Sequence, residues 1–184
     1  MKISIEAKYI AALLVTAPKG IRKHLVSLCI SYGMIASTDG ARIGMVQIPD
    51  DAFLGEAIIP RHLFEHIKPR YSSVEIEIEG NDVSVYQAGI RITGKLIEEK
   101  YPDVRRLVPR ELSGNTALFS AEYLADLLKI GTYLYPNAKY HAPVIHHNGS
   151  AVAIVDFKDN RYFHMLMPVR HVPDEYVIPK WVRQ

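Results

Sequence analysis

Three segments of the chain repeat one pattern: a short extended stretch, a helix-start residue, and paired apolar residues at helical spacing. The segments are 3–14, 57–68 and 117–128, and their start residues are Glu6, Pro60 and Ser120. The first and third segments share five identities, namely Ala7/Ala121, Tyr9/Tyr123, Ala11/Ala125, Leu13/Leu127 and Leu14/Leu128. Serine is a favourable N-cap and proline suits a first helical turn, so the starts are physically reasonable. We infer one structural unit repeated three times.

Each segment is followed by three stretches that have the pattern of strands. They are 25–30, 33–37 and 43–48 in unit one, 74–79, 83–87 and 90–97 in unit two, and 144–147, 151–157 and 162–167 in unit three. In residues 74–79 apolar and acidic residues alternate strictly, which is typical of a half-buried strand. Each unit is therefore predicted to be βαβββ, and the chain to have an α+β fold.

Composition limits what such a chain does. Its 184 residues carry 22 lysines and arginines against 20 aspartates and glutamates, a formal net charge of +2, and 48% of the residues are hydrophobic. These values exclude a disordered tail or a fibre, and they allow polyanion binding only if positive charge gathers on one face. The single cysteine, Cys29, lies in an apolar run and is predicted to be a buried free thiol. No signal peptide or membrane-length apolar run is recognisable, so we expect a cytoplasmic protein.

Three motifs carry a resemblance to a known family. They are the turn 37–43 (Ser-Thr-Asp-Gly-Ala-Arg-Ile), the stretch 94–109 around Tyr101, Pro102 and Asp103, and the ending 166–170 (Leu-Met-Pro-Val-Arg). In this order they resemble the Thr-Asp-Gly-x-Arg-Leu turn, the Phe-Pro-Asp-Tyr linker and the Met-Pro-Met-Arg ending of the bacterial sliding clamp, the beta subunit of DNA polymerase III. That family builds rings from βαβββ half-domains, two per domain, with helices lining the hole and sheets outside.

The resemblance implies the DNA clamp fold, shortened to one full clamp domain plus a half domain. Residues 1–110 resemble a complete middle domain and residues 116–170 resemble the second half of the last domain. We therefore predict a clamp domain at 1–110, a half domain at 111–170 and a C-terminal tail at 171–184. The tail would dock on an edge strand, cover a pocket or stay loosely packed; its apolar residues are Tyr176, Val177, Ile178 and Trp181.

In the family the three motifs converge on a pocket that holds short linear motifs of polymerases and other replication or repair proteins. The matching positions form the predicted peptide-binding site: Thr38, Gly40, Arg42 and Ile43 as one wall, Pro102, Arg106 and Leu107 as the floor, and Met165, Met167, Pro168, Val169 and Arg170 as the other side. Apolar and methionine surfaces adapt to partner side chains, while arginines fix polar groups at the rim. The departures from the family pattern, Ala41, Val104 and Val169, affect partner specificity more than the existence of the pocket.

A clamp-like ring also implies duplex DNA as a sequence-independent partner. The candidate contacts are basic residues on or beside the predicted helices, namely Lys8, Lys19, Arg22, Lys23, Arg61, Lys68, Arg70 and Lys129. A ring that encloses DNA needs only weak, salt-sensitive phosphate contacts. Glu65, Glu122 and Asp126 interrupt this charge, so the alternative that these are ordinary solvated helix faces stays open.

Two other functions are compatible with the sequence. Residues His62, Glu65 and His66 match the His-x-x-Glu-His pattern of inverted zinc peptidases, with two zinc ligands and a general base. The helix there is short, between Pro60 and Pro69, and no third ligand is identified. We therefore predict no metal, no other cofactor and no catalytic residue. The other alternative is a clamp-like module that captures or sequesters clamp-binding peptides without forming a ring.

The odd number of units implies an oligomer. A lone unit of ~50 residues has a small core and open strand edges. Units one and two are expected to pair within the chain, and unit three with its two-fold mate in another chain. A dimer then has six units, and a tetramer has the twelve of the family's closed ring. The implied partners are therefore duplex DNA, a DNA polymerase and other proteins with clamp-binding motifs, a clamp loader, and further copies of this chain.

Overall fold

The computed structural model describes residues 1–17, 22–49, 53 and 55–169 of the chain. Unit one contains β1 (Lys2–Glu6), α1 (Ala7–Thr16), β2 (Leu28–Ser31), β3 (Met34–Thr38) and β4 (Arg42–Gln47). Unit two contains β5 (Glu56–Ile59), a 3₁₀ turn (Arg61–Phe64), β6 (Ser73–Glu79), β7 (Asp82–Gln87) and β8 (Ile90–Lys95). A second 3₁₀ turn (Val104–Leu107) precedes unit three, which contains α2 (Ala121–Leu134), β9 (Val144–His146), β10 (Ala153–Asp156) and β11 (Tyr162–Leu166).

The residue before each helix or helical turn has the same backbone conformation in all three units. Its φ and ψ are −62° and 132° at Glu6, −55° and 132° at Pro60, and −59° and 132° at Ser120. This is the extended conformation that precedes a first helical turn. The three units therefore share the backbone geometry of this start position as well as the sequence pattern.

Units one and two exchange their first strands. Strand β1 pairs with β6 in a four-stranded sheet of order β1-β6-β7-β8, while β5 pairs with β2 in the other sheet. Each unit thereby covers the outer edge of the other unit's second strand. This reciprocal exchange is the arrangement that an approximate two-fold axis produces, and it agrees with the expected pairing of these units within the chain.

Unit three joins unit one through their last strands. Strand β11 pairs antiparallel with β4, with Met165 opposite Ile43, and this makes a seven-stranded sheet of order β5-β2-β3-β4-β11-β10-β9. Helix α2 packs against α1 on one side of this sheet. No helix in the described ranges is long and apolar enough to span a bilayer.

The helix expected in unit two is reduced to the 3₁₀ turn. The side chain of Gln87 holds the backbone of Lys68, which donates to Gln87 Oε1 at 2.6 Å and accepts from Nε2 at 3.1 Å. Pro69 also disfavours helical backbone at the residue before it. The apolar residues of this region are buried even without a helix, namely Leu63, Phe64 and Ile67.

The first strand expected in unit three, at 117–119, is not part of either sheet. In units one and two the first strand pairs with the sister unit, and the described residues include no sister for unit three. The segment instead makes one backbone hydrogen bond to the end of its own unit, from Val169 N to Leu118 O at 2.8 Å.

Apolar residues cover both faces of the seven-stranded sheet. The larger cluster contains residues of α1 and α2 such as Leu13 and Leu127. A smaller cluster consists of Cys29, Ala36, Ile43, Met45, Ile58, Tyr101, Val104 and Met165. Cys29 is a buried free thiol, as the sequence predicts, and burial raises its pKa to about 12.

Candidate functional site

The turn between β3 and β4 is held rigid by its own side chains. Asp39 Oδ1 accepts from the backbone N–H groups of Ala41 and Arg42 at 2.9 and 2.8 Å. Thr38 Oγ1 donates to Arg42 O at 2.6 Å and accepts from Gly40 N at 3.0 Å. Gly40 has φ +94°, which few other residues adopt without strain. The Thr-Asp-Gly-x-Arg pattern thus encodes a specific turn at this end of the junction between β4 and β11.

Arg42 connects this turn to α2. Its buried guanidinium pairs with Asp39 Oδ2 at 2.9 Å and with Asp126 Oδ2 at 2.8 Å, and it lies 4.4 Å from the ring centre of Tyr123. Burial lowers the pKa of Arg42, but the two carboxylates outweigh burial and raise it above the ordinary value. The charge of Arg42 is therefore neutralised within the chain, and we do not assign it to the polar groups of a bound peptide.

The three predicted motifs meet at one place on the face of the seven-stranded sheet opposite the helices. Ile43 and Met165 are directly paired on β4 and β11, and both pack in the smaller cluster with Tyr101 and Val104. We call these four residues the junction cluster. Two residues after Met165, Met167 lies beside the turn between β3 and β4, and its N–H donates to Ala41 O at 2.8 Å. Sequence-distant motifs are thus brought together as the resemblance implied.

The predicted site residues divide into a buried base and an exposed rim. Ile43 and Met165 are 6% and 0% exposed, so the junction cluster is a filled base and not an open cavity. Among the predicted site residues, the exposed apolar side chains are those of Leu107, Met167 and Val169. Pro102 and Arg106 are also exposed, Pro168 is half-buried, and Arg170 lies outside the described residues.

A groove lined by none of the predicted site residues continues along the same face. It has a volume of about 410 Å³, is lined by Met34, Met45, Val108 and Phe163, and has Arg105 and Arg161 at its margin. That volume lies in the range of roughly 300–1,000 Å³ that is usual for ligand sites. Phe163 pairs with Met45 two residues along from the Met165 and Ile43 pair. Because side chains alternate between the two faces of a strand, Met45 and Phe163 lie on the same face as Ile43 and Met165. This alternation could have identified them from the sequence.

The basic residues predicted to contact DNA differ in their exposure and in whether they already bond to other groups of the chain. Arg61 Nη1 donates to Leu14 O at 2.8 Å and Ala17 O at 2.7 Å, so it caps the C-terminus of α1, and burial lowers its pKa. Lys8 pairs with Glu6 at 3.3 Å. The exposed members are Arg22, Lys23, Lys68, Arg70 and Lys129. Lys19 lies outside the described residues.

The helix side of the molecule carries mixed charge. A groove of about 330 Å³ between α1, α2 and unit two is lined by Leu14, Arg61, Asp126 and Lys129, among others. Burial raises the pKa of Asp126, but hydrogen bonds from Lys129 and Arg42 outweigh it and hold the pKa below its ordinary value. Asp126 therefore stays ionised and reduces the positive charge of this side.

The geometry required for a zinc peptidase is not formed by His62, Glu65 and His66. The 3₁₀ turn ends at Phe64, so the two histidines are not on one face of an α-helix. His62 is exposed, whereas His66 is half-buried and burial lowers its pKa. In the part of the chain that the structure describes, no group of three metal-ligating side chains is present.

Comparison with known proteins matches this fold to bacterial sliding clamps. The sliding clamp of Bacillus subtilis is 15% identical with a TM-score of 0.68, over 94% of this chain and 65% of the clamp. The clamp of Bartonella birtlesii bound to griselimycin is 17% identical with a TM-score of 0.66, over 92% and 66% of the two chains. The Helicobacter pylori beta clamp bound to a DNA ligase peptide is 14% identical with a TM-score of 0.63, over 92% and 66%.

These matches confirm the fold predicted from the repeat and the motifs. The chain spans about 65% of the length of the B. subtilis clamp, in keeping with a shortened arrangement of the same units. No protein-family model and no curated protein matches the sequence.

Proposed function

We propose that this chain, which has the fold of the bacterial sliding clamps, is a clamp-like processivity factor for a DNA polymerase. In this proposal several copies form a ring around duplex DNA, and the junction between β4 and β11 binds short peptide motifs of replication or repair proteins. The protein itself catalyses no reaction, uses no cofactor and acts in the cytoplasm. The observation that carries the proposal is the meeting of the three motifs at the junction cluster.

The junction is chemically suited to capture a short peptide. Leu107, Met167 and Val169 are 50%, 37% and 45% exposed, and in this proposal they form the apolar rim of a base that is already packed, so their burial by a peptide requires little rearrangement. Arg106 pairs with the exposed Asp103 at 2.8 Å, is itself exposed, and provides a rim cation. The clamps that bind griselimycin and a DNA ligase peptide support the same use for this fold.

Ring formation is supported by the way the units join. The pairing of β4 with β11 joins the last strand of one unit to the last strand of another, and β8 is the corresponding strand of unit two. Within the described ranges β8 has no strand on its outer side. We propose that it pairs with β8 of another copy, and that the chain divides into the domains 1–110 and 111–170 followed by the tail 171–184.

DNA contact in this ring is assigned to the exposed basic residues of the helix side. They are Arg22, Lys23, Lys68, Arg70 and Lys129. Because acidic residues lie among them, the contacts are expected to be weak and to weaken further as salt rises. Enclosure of the duplex, and not affinity, would then keep the protein on DNA.

The peptide site is tested with the full chain and a fluorescent copy of the DNA ligase peptide that binds the H. pylori clamp. We expect saturable binding that griselimycin displaces, and a loss of affinity of about tenfold or more in Leu107→Glu and in Met167→Glu, because each places a charge in the apolar rim. Leu124→Glu is the matched control, since Leu124 is similarly exposed at 40% but lies on α2. Absence of binding, or equal losses in all three variants, would contradict the proposed site.

The second candidate is a peptide-binding module that does not form a ring. The reduction of the unit-two helix to a 3₁₀ turn favours it, because the helix side then has less surface with which to face DNA. Light scattering during gel filtration separates the two functions. A monomer at micromolar concentration that still binds the peptide would favour the module and exclude the ring.

A further inference from the structure

Helix α2 exposes the residues that α1 buries. Ala7, Ile10 and Ala11 are 0%, 0% and 6% exposed, and Leu14 is half-buried. The equivalent residues of α2 are Ala121, Leu124, Ala125 and Leu128, which we call the α2 stripe. All four are exposed, Leu124 by 40% and Leu128 by 57%. Three of the four positions carry the same amino acid in both helices, so the difference in burial comes from their surroundings and not from the sequence.

Unit two is what covers this face of α1. Ala7 N donates to Ser72 O at 3.3 Å, and α1 packs against β6. Arg61 Nη1 from the same unit caps the end of α1 at Leu14 and Ala17. Within the described residues no equivalent unit covers α2, because units one and two already cover each other.

Within the described residues the outer edge of β9 in unit three, like the α2 stripe, lacks the neighbour that the equivalent edges in units one and two have. Strand β9 is the last strand of the seven-stranded sheet, and in units one and two the equivalent edges of β2 and β6 receive the sister unit's first strand. Residues 114–115 reach only the turn beyond β9, where Gly114 N donates to His147 O and Gly149 N to Asn115 O. In the described part of the chain, Val144–His146 has no strand along its outer edge.

The segment 117–119 is oriented to fill such an edge in another molecule. Met1 and Ala7, which flank β1, donate to Ile78 O and Ser72 O on the chain of β6. Because backbone groups alternate sides along a strand, the N–H and C=O groups of Ile3 and Ile5 point toward β6, and those of Ser4 point away. The equivalents of Ile3, Ser4 and Ile5 are Ala117, Leu118 and Phe119. Leu118, the outward-facing one, is the residue that bonds to its own unit through Val169. The backbone groups of Ala117 and Phe119 correspond to those that pair with the sister unit. Within one chain Ala117 N donates to His147 Nδ1 at 3.3 Å, and pairing with β9 of another copy would replace this bond.

We propose that unit three is completed by unit three of a second copy of this chain. The two copies would be related by a true two-fold axis that replaces the approximate axis between units one and two. Segment 117–119 of each copy would pair with β9 of the other, and the two α2 stripes would be buried between them. Such a dimer belongs to the ring proposed above, yet it requires neither DNA nor peptide, so assembly and peptide binding can fail independently.

A second copy is a better occupant than an unrelated protein because the required surface is already present in the chain. A partner for this face must provide a first strand for β9, a free strand edge for segment 117–119 and an apolar helix stripe against α2. Unit three of a second copy has all three in the required arrangement. The chain's own segment 171–184 is the competing occupant, since it carries Tyr176, Ile178 and Trp181. The experiment therefore includes a variant that lacks these residues.

The test is the mass of the full chain by analytical ultracentrifugation without DNA or peptide. We expect an even-numbered assembly of 20.8 kDa chains, and we expect the double variant L124E/L128E to halve its mass, with association weakened about 100-fold or more. Leu107→Glu is the matched control, because it changes an exposed leucine at the peptide rim and should leave the mass unaltered. Thermal unfolding confirms that L124E/L128E is folded, which is expected because both side chains are exposed in one chain.

A second measurement locates the interface directly. In the wild type, hydrogen exchange at Phe119 and β9 should be slow and should become fast in L124E/L128E. A wild type that is monomeric at every concentration would overturn the proposal, as would an assembly that L124E/L128E leaves intact. A monomer that dimerises only after removal of residues 171–184 would show that the tail occupies this face, and it would equally overturn the proposal for the full chain.

Discussion

The imidazole of His164 is fully buried beneath α1. Its Nδ1 is 3.2 Å from Tyr162 Oη, which is in turn 3.2 Å from Thr16 Oγ1. Burial, together with the nearby charge of Arg42, lowers the pKa of His164 to about 3. The ring is therefore neutral in the folded protein at pH values where the unfolded chain, with an ordinary pKa of 6.5, is already protonated.

This difference predicts acid sensitivity. Between pH 6.5 and about 3 only the unfolded state binds the proton, so the free energy of unfolding should fall as the pH is lowered. One such group contributes about 1.4 kcal/mol per pH unit within that window. Urea unfolding of His164→Gln across the window should show a correspondingly shallower slope. His62→Gln, at an exposed histidine, should keep the slope of the wild type, and an unchanged slope in His164→Gln would contradict the prediction.

At the scale of elements, one ion pair fixes the position of α2. Asp126 on α2 contacts Arg42 on β4, and it also accepts from Lys129 at 2.7 Å. The Arg42 side chain is 4% exposed and that of Lys129 is 63% exposed, so the two contacts have different surroundings. A charge left unpaired in the interior costs far more than one left unpaired at the surface.

Asp126→Ala should therefore lower the free energy of unfolding by about 2 kcal/mol, because it removes one of the two carboxylates of a buried arginine. Lys129→Ala, which removes only the surface contact to the same carboxylate, should cost about 0.5 kcal/mol or less. Urea denaturation of both variants at pH 7 measures the difference. Equal losses would show that Arg42 does not depend on Asp126.

At the scale of the whole molecule, ring closure depends on the outer edge of β8. Leu96 N donates to Asn81 O at 3.0 Å, so by alternation the N–H groups of Arg91, Thr93 and Lys95 face outward. Proline at position 93 would remove an outward donor and leave the pairing of β8 with β7 intact.

Thr93→Pro should reduce a four-chain ring to two-chain assemblies held by unit three. Combining it with L124E/L128E should yield monomers, because both proposed junctions are then lost. Thr93→Ala keeps the N–H and should retain the wild-type mass in analytical ultracentrifugation. A ring whose mass Thr93→Pro does not change would exclude β8 as the second junction.

Much of the fold and part of the site follow from local sequence patterns. Strict alternation in residues 74–79 corresponds to β6, and the Asp39-Gly40 turn has the geometry that its residues require. The predicted site residues also include Ile43 and Met165, which pair across the junction. These features are predictable because strand alternation, turn chemistry and helix starts are encoded within about ten consecutive residues.

Local sequence patterns predict three related units, because each unit has its own periodicity and helix-start residue, and the resemblance predicts which motifs meet. The structure departs from the βαβββ pattern at the unit-two helix and at the first strand of unit three, and tertiary packing sets these and other features. Gln87 holds Lys68 in place of a helix, Asp126 neutralises Arg42 from 84 positions away, and Ile43 and Met165 form a filled base. These features depend on burial and on pairing between segments that are far apart in the sequence. Local periodicity contains no information about which distant segment packs against a given residue. The same reason explains why α1 is covered and α2 is not, although the two helices share their apolar pattern.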